Sequence, residues 1–397
     1  MSTSLLRREL IHMLRKEGLK CDYVFCTGDI RTASADGAGF PDAAASFLKE
    51  ICSAVGCSID RLFIVPGNHD VDRNCPGRHE AIKEVMYKRR GSYDPADGRI
   101  EAKNLRAIHE GQKEFRAFLE NIYPRERVEL YGNPEKPHFN ICTPDFNVVH
   151  VDSTLSYTID QEANDLIVGT KPLLEALESS DPDKPTLILT HFPFFSLLQD
   201  EKKHLNTIMK SYGVSLWLAG HEHDHQVMPI GGILSLQAGE LRYEDKTNAT
   251  VLIGEYNPQS RKGHVYGYTW FREGWERYPC INMYGNMRDR IEFELAIRKD
   301  EGMSGMTALS HAINKEYYDS MPEQVVESLF PKVLENNVPV CSKENIDSDN
   351  IIITAEGGMG KTTMLLFHCR QSHAPVLYVP AGLMASLGIT LKEYCLL

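Results

Sequence analysis

Residues 62 to 70, Leu-Phe-Ile-Val-Pro-Gly-Asn-His-Asp, pass from an apolar run through a turn into three polar side chains. Leu62 to Val65 has the length and content of a buried strand, and Pro66-Gly67 ends it. Asn68, His69 and Asp70 therefore follow a strand end. Three other segments repeat the design. Tyr23 to Thr27 leads through Gly28 to Asp29, Thr186 to Leu189 leads to His191, and Ser215 to Leu218 leads through Gly220 to His221 and His223. Carboxylate, amide and imidazole groups delivered from several strand ends are what a centre of two metal ions about 3.5–4 Å apart requires. Hydrolysis of phosphate esters is the chemistry such a centre serves.

The residue types suggest roles. Asp29 has two oxygens with which to bridge cations, Asn68 offers a neutral amide oxygen, and His191, His221 and His223 offer imidazole nitrogens. This mixed nitrogen and oxygen set suits manganese, iron, zinc, nickel or cobalt better than calcium. His69 directly follows one ligand candidate and precedes Asp70, an order that reads as a proton donor to the leaving alkoxide with Asp70 holding its ring. Gly28, Gly67 and Gly220 stand where the backbone must turn sharply and approach the site. His150 reads as a core strand histidine and His225 as an exposed loop histidine. Arg31 reads as a solvated loop arginine in preference to a clamp on a phosphate oxygen.

Around these motifs the 397 residues alternate strand and helix patterns, implying a largely parallel α/β core. Leu6, Leu10 and Leu14 recur at helical spacing, as does the stretch Ala43 to Val55. Residues 72 to 136 become charged and helical, with Arg73, Arg78, Lys88, Arg89, Arg90, Arg99, Lys103 and Arg106 among acids, and read as an insertion with a solvated basic face. Strands are expected at Phe146 to Val151, Gly232 to Gln237, Thr250 to Tyr256 and His264 to Phe271, the last three implying an antiparallel portion and a second sheet. The first domain is expected to span 1–297 and a helical connector 298–345.

The order GD, GNHD, H and GHxH resembles the calcineurin-like metallophosphoesterase superfamily, and VPGNHD with GHEH is most similar to its cyclic-nucleotide-phosphodiesterase-like branch. The resemblance covers residues 1–297 and implies a two-sheet sandwich flanked by helices, with metals at the carboxyl ends of the strands. Asp29 would be the bridging ligand, Asn68, His191 and His221 would complete one metal site, and His223 would belong to the other. His69 matches the family's catalytic histidine. With two ions, a hydroxide held between them attacks phosphorus in line while His69 protonates the departing oxygen. The family's opening strand ends in Asp-x-His, and no such pair precedes the helix at Leu5. The expectation is one complete site, a second reduced to Asp29 and His223, and a sequence that is a piece of a longer protein. Loss of one site would leave a sensor or scaffold, and a nuclease effector is the remaining alternative.

A second motif lies in residues 351–366, IIITAEGGMGKTTMLL. An apolar run, a glycine turn at Gly357, Gly358 and Gly360, then Lys361, Thr362 and a helix-like stretch form the context of a phosphate-binding loop. Backbone amides would cradle the phosphates of ATP, Lys361 would reach the terminal ones and Thr362 would bind magnesium. GGMGKTT resembles the Walker A segment of signal-transducing NTPases of the STAND and NACHT type. The resemblance covers residues 346–397, read as the first βαβ part of a P-loop NTPase domain without a Walker B acid, and implies self-association and regulation by nucleotide.

A net charge of −12 argues against a broad basic grip on nucleic acid, though a local groove would accommodate a nucleotide or nucleic-acid substrate. No apolar run approaches the roughly 18 residues of a membrane span, and Arg7 and Arg8 interrupt the first leucines. Ten cysteines without metal-knuckle spacing read as free thiols in a reducing compartment, so the expected location is cytoplasmic.

Overall fold

The computed structural model describes residues 3–31, 40–87, 93–94, 98–158, 165–222, 225–230, 233–241, 249–271, 274–278, 280–281, 287–288 and 290–298. The expected connector over 298–345 lies outside them but for its first residue, and the phosphate loop lies wholly outside.

The chain opens with α1 (Thr3–Lys16), β1 (Val24–Cys26), α2 (Asp42–Val55) and β2 (Leu62–Ile64). Strands β1 and β2 pair in parallel, Val24 opposite Leu62 and Cys26 opposite Ile64. The expected insertion follows, with α3 (Pro76–Met86), the short hairpin strands β3 (Tyr93–Asp94) and β4 (Arg99–Ile100), α4 (Ala102–Glu110), α5 (Lys113–Leu119) and α6 (Arg125–Tyr131). It is not wholly helical, and its basic face is not wholly solvated, because Arg78 is 1% exposed. The Arg78 guanidinium is spent on backbone, donating to the carbonyls of Tyr157 at 2.9 Å and Thr154 at 2.8 Å.

Next come β5 (Phe139–Cys142), β6 (Asn147–His150), α7 (Thr170–Glu178), β7 (Thr186–Leu189), α8 (Gln199–Ser211), β8 (Val214–Ala219), β9 (Gln226–Ile230) and β10 (Ile233–Gln237). These strands make one six-stranded sheet in the order β5-β6-β7-β8-β10-β9. Its inner strands β6, β7, β8 and β10 are parallel, whereas β5 and β9 pair antiparallel at the two edges. The parallel strands are almost continuously apolar because both faces are covered. Val149, Ile188, Trp217 and Ile233 face α7 and α8 through Leu173, Leu177, Leu205 and Met209. The alternate residues Val148, Leu187, Leu189, Leu216 and Leu234 face the other way, onto Phe63 and Val65 and onto Val265 and Phe293.

The last two belong to a four-stranded antiparallel sheet built from β11 (Thr250–Asn257), β12 (Lys262–Phe271), β13 (Gly274–Tyr278) and, beyond the small ladder of β14 (Cys280–Ile281) with β15 (Met287–Arg288), β16 (Ile291–Glu294). Helices α1 and α2 pack Leu10, Leu14, Leu48, Cys52 and Val55 against Leu62, Ile64, Tyr266 and Tyr268. The molecule is thus a mixed α/β protein with several sheets. No helix among the described residues is long and apolar enough to cross a membrane.

Candidate metal centre

Each described ligand candidate sits just beyond a strand. Asp29 follows β1, Asn68 follows β2, His191 follows β7 and His221 follows β8. Because β7 and β8 are parallel neighbours, their carboxyl ends present His191 and His221 side by side, with ring centroids 5.2 Å apart. The loop after β1 and the loop after β2 meet in the same place through two glycines. Gly28 adopts φ +94, and a Cβ there would stand 2.5 Å from the Gly67 nitrogen, so only glycines allow the contact.

The polar atoms converge. Nε2 of His191 lies 2.8 Å from Oδ1 of Asn68 and 3.4 Å from Oδ2 of Asp29. Nδ1 of His221 lies 3.2 Å from the same Asn68 oxygen. Asp29, His191 and His221 each offer a ligand atom within 4.8 Å of the others. The His191 ring is oriented from behind, its Nδ1 standing 2.7 Å from the Thr27 carbonyl oxygen. A carbonyl can only accept, so Nδ1 carries the hydrogen and the Nε2 lone pair points at Asn68 and Asp29. Lone pairs of nitrogen, amide oxygen and carboxylate aimed at one point repel unless a proton or cation lies between them. The donor set therefore fits a divalent cation, with the outer hydrogen bond to His191 of the kind that orients metal-binding imidazoles.

Backbone strain marks the same place. Three non-glycine residues among those described have positive φ, and two of them are Asp29 (φ 54) and His221 (φ 74). Strain of about 1–3 kcal/mol at such residues persists where the surrounding structure over-determines them.

His69 stands beside the cluster with its side chain 24% exposed and Nε2 3.9 Å from Oδ2 of Asp29. Its own backbone N–H donates to Oδ1 of Asp29 at 3.0 Å. Asp70 differs from the expectation that it holds the His69 ring. Its carboxylate is fully buried and accepts from the backbone N–H groups of Ile30 at 2.9 Å, Arg31 at 3.1 Å and Gly67 at 2.9 Å. Asp70 thus ties the two loops together. Burial, and then the charge of Asp29, push its carboxyl up to about 7, against the pull of those amides.

Three further placements differ from the sequence reading or were missed by it. Arg31 is 2% exposed and so is no solvated loop arginine. His225 is buried rather than exposed, at 9%. Ser153, three residues beyond β6, was given no role, yet its Oγ accepts from the backbone N–H of His191 at 3.3 Å and of Phe192 at 3.0 Å. Its signal was its position, since Val151-Asp152-Ser153 leaves the neighbouring parallel strand at the same edge. His150 is a core strand residue, 1% exposed. His223 lies outside the described residues, as do Gly357, Gly358, Gly360, Lys361 and Thr362.

The model of the calcineurin-like phosphoesterase family matches residues 6–225, and the chain belongs to that family, a class of hydrolases that act on phosphate esters with divalent metals. A relative, the uncharacterized metallophosphoesterase-like protein YydB of Bacillus subtilis, is 25% identical over 296 residues, which are 70% of this chain and 57% of that protein. The chain thus spans little more than half the length of this relative. Among solved structures, single and double mutants of Vps29 from Entamoeba histolytica match at 13% and 14% identity with TM-scores of 0.21 and 0.20, covering 40% of this chain and 61% of each of theirs.

Proposed function

We propose that this chain hydrolyses a phosphomonoester or phosphodiester, with Asp29, Asn68, His191 and His221 holding a divalent transition metal and His69 as general acid. Manganese, iron, zinc, nickel and cobalt are the candidate ions. Were a second ion held, Asp29 and His223 would be the residues of this sequence to hold it. The observation that carries this reading is the convergence of the Asn68 oxygen, at 2.8 Å, and the Asp29 carboxylate, at 3.4 Å, on His191 Nε2.

When bound, the cation supplies Lewis-acid stabilisation of the phosphoryl oxygens and activates a water molecule. The protein does the rest. Thr27 fixes the His191 ring, Asp70 fixes the two loops, and His69, partly exposed beside Asp29, delivers a proton to the leaving oxygen. The second part of the proposal concerns residues 346–397, whose GGMGKTT motif supports ATP and magnesium binding and nucleotide-dependent self-association that regulates the hydrolase.

The test is turnover of an aryl phosphodiester by the manganese-loaded chain, lost on Asn68→Ala or His191→Ala. Absence of turnover in a chain shown to hold manganese would assign the sensor or scaffold role. Cleavage of DNA or RNA in preference to the ester, lost on Asn68→Ala, would assign the nuclease effector. Binding of ATP that disappears on Lys361→Ala tests the second part separately.

A further inference from the structure

We infer that Arg31 is a positioning residue for His69 and that Glu114, on α5 of the insertion, sets Arg31 in turn. The inference rests on the general-acid role proposed for His69, and it begins from burial. The Arg31 side chain is 1% exposed, so its charge cannot reach a substrate phosphate without leaving its place. That charge is used inside the protein. Nε donates to the His69 carbonyl at 2.6 Å, and Nη1 donates to Oε2 of Glu114 at 2.6 Å. The guanidinium carbon stands 5.0 Å from the centroid of the Phe40 ring, and the Arg31 backbone N–H donates to Asp70.

One guanidinium therefore links the loop after β1, the loop after β2 and the insertion. A planar fork can serve two acceptors in fixed directions, which a lysine ammonium on a flexible stem does not reproduce. His69 is consequently held at both sides of its backbone, its N–H by Asp29 at 3.0 Å and its carbonyl by Arg31 at 2.6 Å. The Cα–Cβ direction follows from those two anchors and aims the ring. A general acid works within about 2.6–3.2 Å of the atom it protonates. Misplacement by about 1 Å costs on the order of 100-fold. Glu114, with its side chain 44% exposed, carries the restraint outward to α5 of the insertion.

Arg31→Lys and Glu114→Gln test the inference by two routes. In the metal-free protein, amide hydrogen exchange across residues 66–71 should quicken in both variants while β6 and β7 keep their protection. In the manganese-loaded protein, kcat is compared for an alkyl phosphodiester, whose poor leaving group needs the acid, and an aryl one, which needs it less. Arg31→Lys should lower kcat for the alkyl ester by about 10–100-fold and for the aryl ester by at most a few-fold, with KM unchanged. In a His69→Ala background it should add nothing further. Equal loss on both esters, or a loss that adds to that of His69→Ala, would overturn the assignment in favour of general structural support. Unchanged exchange and unchanged rates would remove Arg31 from the site altogether. If the unaltered chain turns over neither ester, the hydrolytic reading fails, and the exchange measurement still decides whether Arg31 braces the loop.

Discussion

The amide oxygen of Asn68 stands 2.8 Å from Nε2 of His191, across a sequence separation of 123 residues. No backbone ladder joins the two strands that deliver them, since β2 pairs with β1 and β7 lies in the six-stranded sheet. They meet because the apolar face of that sheet packs on Phe63 and Val65. Core and centre are thus one construction. Removing a ligand should leave the core intact and abolish metal binding. Asn68→Ala and His191→Ala are each expected to weaken manganese binding by more than about 100-fold, since even outer-shell losses reach 10–100-fold. Calorimetric titration checks this, and retention of wild-type affinity in either variant would remove that residue from the centre.

His69 predicts the opposite combination. Its ring stands 3.9 Å from Asp29 and is partly exposed, so His69→Ala should retain metal affinity and lose turnover. The expected loss is about 100- to 10,000-fold for an alkyl ester, the usual contribution of a positioned acid. A parallel loss of bound manganese would mean instead that His69 is a ligand.

Much of this was legible from residues alone, for a physical reason. A buried parallel strand is a short apolar run, and a glycine with polar residues after it marks its end, so β2, β7, β8 and the residues beyond them stood out. What escaped notice lacked such contrast. Helix α8, with the sequence QDEKKHLNTIMKS, packs only a narrow apolar stripe including Leu205 and Met209 between charged residues. Strand β5 lies half-buried at a sheet edge, so its Phe-Asn-Ile-Cys makes no continuous apolar run. Arg31 departs from the expectation because a charged side chain beside a turn is ordinarily solvated, whereas its burial depends on Glu114, 83 residues away. Long-range pairing of that kind leaves no trace in local composition.

The approach of Gly67 to Asp29 gives a third prediction. A Cβ on Gly67 would collide with the Asp29 carboxylate oxygen and backbone nitrogen and stand 2.8 Å from its Cγ. Gly67→Ala should therefore displace Asp29, lower stability by about 1–3 kcal/mol as overpacking does, and abolish manganese binding. Gly77, in α3, has nothing within 4 Å of the same atom and serves as the control. Gly77→Ala should stabilise by about 0.5–1 kcal/mol, as alanine does in a helix, with metal binding unchanged. Equal denaturation midpoints for the two variants would contradict the close approach.

The final prediction concerns pH. His150 is buried with its ring stacked on Phe139 at 4.5 Å, edge-on to Tyr131 at 6.0 Å and tilted against Phe63 at 5.6 Å. Burial, and then the charge of Arg127, hold its pKa well below the ordinary 6.5. His138 is lowered by burial in the same direction, and His109 is lowered to about 4 by burial and Arg116. In the unfolded chain these rings take up protons near pH 6.5, whereas in the folded chain they stay neutral. Stability rises with pH wherever the unfolded state binds more protons, so their contribution is complete above about 6.5 and is lost as pH falls below it. These three rings therefore pull the thermal midpoint down as pH falls from about 6.5 towards 4. Asp70, held up at about 7, takes up its proton in the folded chain over the same range and works in the opposite direction, so the comparison with a histidine variant isolates the rings. His150→Phe keeps an aromatic ring against Phe139 and removes one titrating group, so its midpoint should fall less steeply over that range. Scanning calorimetry at pH 8 and pH 4.5 decides it, because curves that stay parallel would show that His150 takes no proton on unfolding.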